Sequence, residues 1–152
     1  MNPNVVAGLI NRNYKNFDMF SFDNRLKLQK FVYIMEYMFG LNLGYEFTWY
    51  HYGPYCVELA KDGFGISFEQ TPEMKFGDVA AEKKFLEFLD FIKSRDNNWM
   101  EIVASIHFLK RIGYSKEKII ETIKNKRSEL QNMNDEIEEI YSKLESEKLL
   151  DG

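Results

Sequence analysis

The sequence predicts a mainly α domain carrying one small β-sheet, an α+β chain, on three observations. Apolar residues recur at three- and four-residue spacing in several stretches, and everything after Asp78 follows that helical period. The densest aromatic run, residues 45–52, lies between Gly44 and Gly53-Pro54, where turn residues bound a strand. The 152 residues, 45% hydrophobic, suffice for one core, and no Pro/Gly/Ser-rich linker interrupts them, so residues 1–152 read as a single globular domain.

Arg25 to Phe39 reads as a buried helix, because Leu28, Phe31, Val32, Met35, Met38 and Phe39 share a face while Lys27, Lys30 and Glu36 point elsewhere. Asp23 or Asn24 suits its N-cap, and Gly40 ends it. Tyr45 to Tyr52 reads as the strand, with Phe47, Trp49 and His51 on one face and Thr48, Tyr50 and Tyr52 on the other. Pro54 fits the first turn of a helix, so Tyr55 to Lys61 reads as two short helical turns. Residues 62–78 contain Gly63, Gly65, Pro72 and Gly77 and read as irregular, with a short strand at Gly65 to Phe68.

Val79 to Lys93 places Phe85, Leu86, Phe88, Leu89 and Ile92 on one helical stripe. Asn98 followed by Glu101 resembles a capping box ahead of a helix from Trp99 to Ile112, which Gly113 terminates. Ser115 caps a short helix reaching Arg127, and a last helix from Asn134 to Leu149 turns Ile137, Ile140, Tyr141 and Leu144 inward.

Composition removes several function classes. The net charge of -4 excludes a uniformly basic surface built to coat nucleic acid, although residues 79–130 carry eleven basic side chains against eight acidic ones. A single cysteine, Cys56, forms no internal disulfide and supports no multi-thiolate metal site, which fits a reducing, cytoplasmic setting. No export signal and no run of 18 apolar residues is visible, so no membrane association is expected. His51, Glu58 and Asp62 are the one loose set of metal-type ligands, without a HExxH pattern; Gly63-Phe64-Gly65 lacks the third glycine of a dinucleotide loop. No metal and no cofactor is expected.

Two constellations remain. Of 24 aromatic side chains, seventeen fall between Tyr14 and Phe76, and the run from Phe47 to Tyr55 holds five of them plus His51. Tyrosine and tryptophan join a large apolar body to a polar handle, which suits a partner surface, so Trp49, Tyr50, His51, Tyr52, Tyr55 and Glu58 are candidate partner-binding residues. Helices packed over both strand faces are the plainer reading of the same residues. Around the Gly113 turn, Lys116, Lys118, Lys124, Lys126 and Arg127 follow a helix-turn-helix layout able to meet phosphates, but interleaved Glu117, Glu121 and Glu129 are the usual mark of a solvated surface. Cys56 with His51 or His107 would need hydrogen-bond reach to act as a nucleophile, and a small buried cysteine explains it more simply. No catalytic residue is expected, and the chain reads as no enzyme.

Three segments carry a family resemblance: Lys27-Leu28-Gln29-Lys30-Phe31-Val32-Tyr33, then Trp49 through Gly53-Pro54-Tyr55 to Glu58-Leu59, and Trp99 to Lys110 with its Ala104-Ser105-Ile106-His107 core. Together with the last helix they resemble the YwgA-like proteins over about residues 25–150 and, more distantly, the Panacea-domain group that includes the antitoxin SocA and phage-associated proteins. The resemblance implies a helical fold with a small sheet, winged-helix-like in parts, and no catalytic machinery. It also implies an antitoxin- or adaptor-like role, binding a partner protein such as a toxin or a protease substrate. Its motif residues, Lys27, Leu28, Gln29, Tyr33, Gly53 and Pro54, suit a scaffold in which Gln29 and Tyr33, four apart on one helix face, hydrogen-bond to the Gly-Pro turn. The leading expectation is therefore a non-enzymatic protein-interaction module using its aromatic surface. The alternative is a winged-helix DNA-binding regulator using residues 110–127.

Overall fold

In the computed structural model, residues 2–151 are described, and they form helices arranged around one central helix with a two-stranded hairpin at its side. The helices are α1 (Pro3–Ile10), α2 (Phe22–Tyr33), α3 (Val57–Phe64), α4 (Val79–Ile92), α5 (Asn97–Arg111), α6 (Lys116–Lys124) and α7 (Asn134–Ser146); the strands are β1 (Thr48–Tyr50) and β2 (Gly53–Tyr55). The predicted mainly α, α+β class is the observed one.

Helix α5 is the centre because every residue from Met100 to Leu109 is buried, polar ones included. A helix covered all round must be packed on several sides, and α2, α6, α7 and β2 all lie against it. Phe31 meets Phe85 and Phe88 of α4 edge-on, and the inward Ile137, Ile140, Tyr141 and Leu144 of α7 are buried as their spacing predicts. The α4 stripe holds at Phe85, Phe88 and Ile92, while Leu86 stays exposed.

Several boundaries differ from the expected ones. Helix α1 lies outside the elements the sequence predicts: Asn2 caps it by accepting from the Asn4 amide, and Val6 to Ile10 are buried with no polar face to set a period. Helix α2 starts at Phe22 behind Ser21, whose Oγ accepts from the Asn24 amide; neither Asp23 nor Asn24 is the cap. It widens into a π-helical turn at Ile34–Met38 before Gly40, whose φ of +72° ends it. Helix α5 is capped by Asp96, which accepts from Trp99 N at 2.8 Å, so Asn98 and Glu101 form no capping box. Ser115 caps α6 as expected, but α6 stops at Lys124 and Arg127 lies beyond it. Residues 65–78 are irregular without a strand at 65–68.

The strand is shorter than its aromatic run. Thr48 pairs with Tyr55, Trp49 with Pro54 and Tyr50 with Gly53, antiparallel, and His51-Tyr52 form the turn. Pro54 therefore belongs to β2, where an edge strand tolerates its missing N–H, and the following helix begins only at Val57. Cys56 caps that helix, its Sγ accepting from Leu59 N at 3.4 Å. Gly53 has a φ of +91°, a region costly for side chains but open to glycine, as hairpin bulges use it.

Candidate functional site: an aromatic hairpin on buried polar anchors

The hairpin cannot hold itself, since an isolated two-stranded ribbon is marginal in water. Its backbone is tied down instead by side chains of α2. Gln29 is buried and uses both ends of its amide: Nε2 donates to the Cys56 carbonyl at 3.0 Å, and Oε1 accepts from the Cys56 amide at 2.8 Å. Lys30, 1% exposed, donates from Nζ to the Pro54 carbonyl at 2.6 Å. Burial lowers the Lys30 pKa to about 7, against the opposing pull of Glu101. The expectation that Lys30 and Glu36 point away from the core is thus corrected: both are buried, and both serve backbone groups that no strand satisfies.

The π-helical turn continues this work. Its extra residue brings Glu36 and Tyr37 to the two sides of Tyr45, where the Glu36 carboxylate accepts from Tyr45 N at 3.3 Å and the Tyr37 hydroxyl donates to the Tyr45 carbonyl at 2.5 Å. The Tyr45 hydroxyl donates in turn to Asp62 of α3 at 2.6 Å. Burial raises the Glu36 carboxyl pKa, opposed by the amides of the Leu43 to Tyr45 segment.

Gln29 reaches the segment after the Gly-Pro turn as expected, but Tyr33 does not reach the turn. Its hydroxyl lies 2.8 Å from Nδ1 of His107, a buried pair between α2 and α5. Burial, assisted by Arg111, lowers the His107 pKa to about 4, so the ring is neutral at physiological pH. Leu28 is core and Lys27 is half-buried with its ammonium 5.6 Å from the centre of the Tyr14 ring.

On the α5 side, Glu101 is buried and receives two cations, Lys126 and Arg127, the latter at 2.7 Å. Lys126 Nζ also lies 3.3 Å from Ser105 Oγ. These groups close over the hairpin: a Cβ placed on Gly53 would stand 2.6 Å from Ser105 Oγ and within 3.7 Å of both the Lys126 and Lys30 ammonium nitrogens. Lys126 lies 5.3 Å from the Trp49 ring centre and Arg127 4.8 Å from that of Tyr52, so the ion pair also supports the aromatics.

Of the six candidate partner-binding residues, Tyr50, His51 and Glu58 are exposed, and Trp49, Tyr52 and Tyr55 are half-buried. Trp49 stacks on Phe108, Tyr52 meets Phe22 edge-on at 5.0 Å, and Tyr55 meets Tyr50 at 5.2 Å. Of the five basic candidates, Lys126 and Arg127 are engaged by Glu101, Lys116 and Lys124 are half-buried, and Lys118 is exposed. Cys56 is buried, and desolvation raises its thiol pKa, the opposite of an activated nucleophile.

In the sequence Glu101 reads as a capping-box residue and His107 as a candidate partner of Cys56, whereas the structure gives them Lys126-Arg127 and Tyr33 as partners; Ser105, beside Lys126, has no sequence reading of its own. The signal was there in part: Glu101 and Ser105 sit four apart on one helix face in a chain with an adjacent Lys126-Arg127 pair. No family model matches the chain, and no curated protein and no solved structure matches it. Among the described residues, no helix is long and apolar enough to cross a membrane.

Proposed function

We propose that the chain is a non-enzymatic protein-interaction module, antitoxin- or adaptor-like, which engages a partner protein through the aromatic hairpin and thereby occludes or presents it. The observation that carries this reading is the division of labour at the hairpin. Backbone groups of residues 45, 54 and 56 are gripped by buried side chains, while Tyr50, 48% exposed, and His51 project at the tip. A rigid backbone with aromatic side chains already placed loses little entropy on binding, and tyrosine offers a large contact area with few rotatable bonds.

The competing reading is a winged-helix DNA-binding regulator with α5, the Gly113 turn and α6 as its reader. It is ranked lower because two of its five cations already neutralise Glu101. A salt-sensitive mobility shift with duplex DNA is its own test.

The test of the leading reading compares extracts of the source cell passed over immobilised wild-type protein and over a variant with Tyr50→Ser and His51→Ser. Both side chains are exposed, so the variant should melt like the wild type. A partner retained by the wild type and lost by the variant is expected; equal retention by both, or no retained protein, rejects the reading.

A further inference from the structure

Away from the hairpin anchors, the segment before α2 and the end of α3 enclose a groove of about 510 Å³. Its base is apolar and well packed. Phe17 and Phe68 meet edge-on at 4.9 Å, and Met19 lies so close to Gly63 that a Cβ there would stand 2.8 Å from the methionine methyl. Its walls are different. Phe20 is 91% exposed and Phe64 is 65% exposed, although both line the same groove. Large rings in water beside an apolar floor mark a surface built to be covered.

The charged side chains that line it have one sign, with the Arg25 guanidinium nearby and occupied in donating to the Met19 and Phe20 carbonyls at 2.9 and 3.1 Å. The two charged side chains lining the groove are Asp18 and Glu69, both acidic. Glu69 belongs to a wider imbalance, since residues 45–78 carry two basic side chains and six acidic ones. An extended peptide segment is long enough to lie across both rings and to bring its own charges to the acidic rim. We infer that this groove docks a peptide segment of a partner protein that inserts a bulky apolar side chain between Phe20 and Phe64 and places a lysine or arginine next to it, against Asp18 and Glu69. The inference rests on the protein-binding reading above and names the chemistry of the partner. Phe22, two residues from Phe20 in the chain, meets Tyr52 of the hairpin edge-on at 5.0 Å.

A random dodecapeptide display library selected on the immobilised protein tests it, followed by titration of the synthesised winners. The expected winners carry a Leu, Ile, Phe, Met or Trp within three positions of a Lys or Arg. Their binding should fall at least tenfold in Phe64→Ser and in Phe20→Ser, and several-fold in the Asp18→Asn, Glu69→Gln double variant. The charge variant should also show a flatter salt dependence, because the lost contacts are ionic. Unchanged melting of these surface variants shows that the fold is intact. Winners with acidic or neutral flanks, winners indifferent to both phenylalanines, or no winners overturn the groove. Winners lost only in Tyr50→Ser overturn the groove while sustaining the hairpin reading. Concentration-dependent self-association abolished by Phe64→Ser assigns the groove to a second copy of the chain and likewise overturns the inference.

Discussion

Lys30 Nζ lies 2.6 Å from the carbonyl oxygen of Pro54 and is sealed from water by α2, α5 and the hairpin. The same hydrogen bond can be given by an ammonium or by a neutral amine, and burial favours the amine, with a pKa of about 7 in place of 10.5. Between those values the unfolded chain binds a proton that the folded chain does not, so folding stability rises as pH is raised from about 7 towards 10. Burial lowers the Lys126 pKa too, which adds the same sign. Lys30→Met should reduce the slope of unfolding free energy against pH in this window by about 1.4 kcal/mol per pH unit. Urea denaturation at pH 7, 8 and 9 measures it; an unchanged slope means that Lys30 keeps its proton in the fold.

The Gln29 amide holds both backbone groups of Cys56, so Gln29→Leu strands two buried polar groups at once. With about 1–3 kcal/mol for each unsatisfied group, the loss should be about 2–6 kcal/mol, read by denaturant titration. A second readout is local. The Cys56 thiol is buried, and desolvation raises its pKa, so wild-type protein should react with iodoacetamide at neutral pH more slowly than a free cysteine. In Gln29→Leu the segment opens more often, and alkylation should quicken well before global unfolding. Fast alkylation of the folded wild type would return Cys56 to the list of reactive thiols.

The helical skeleton was legible in the sequence because the period of its apolar residues is a direct record of burial, as in α4 and α7. What escaped has a common physical origin. Lys30, Glu36 and Glu101 look solvent-facing to any reading that sorts residues by polarity, yet each is buried against a partner remote in sequence: Pro54, Tyr45 and the Lys126-Arg127 pair. The strand is shorter than its aromatic chemistry suggests for the opposite reason. Tyr45 and Phe47 have strand-like chemistry, but the backbone of Tyr45 is satisfied by Glu36 and Tyr37 in place of a neighbouring strand. The aromatic density between Phe47 and Tyr55 was plain; which rings face water depended on Phe108, Phe22 and Arg127, all distant in the chain.

Gly53 is constrained twice, by its φ of +91° and by Ser105 Oγ lying where a Cβ would fall. Gly53→Ala should therefore cost about 1–3 kcal/mol for backbone strain alone, with a steric penalty added. Ser105→Gly in the same chain removes the obstructing hydroxyl but leaves the strain. A double-mutant cycle should show partial rescue, the coupling reporting the steric share. Full additivity would mean that the hairpin shifts away from α5 when a methyl group is added.

Glu101 pairs with both Lys126 and Arg127 in a buried site, Arg127 also reaching Glu129 at 3.3 Å, and those two cations lie over Trp49 and Tyr52. Removing one side of a buried ion pair leaves uncompensated charge and costs about 3–5 kcal/mol. Glu101→Gln should lower stability by that order. It should also loosen the hairpin, visible as changed tryptophan fluorescence from Trp49 once Trp99 has been replaced by Phe in both chains. Lys126 released from Glu101, beside an Arg127 that keeps only Glu129, adds to the basic segment, so any weak, salt-sensitive DNA binding should strengthen in Glu101→Gln. A variant as stable as the wild type would show that the three charges are solvated, and Lys126 and Arg127 would then be free to meet phosphates in the native protein.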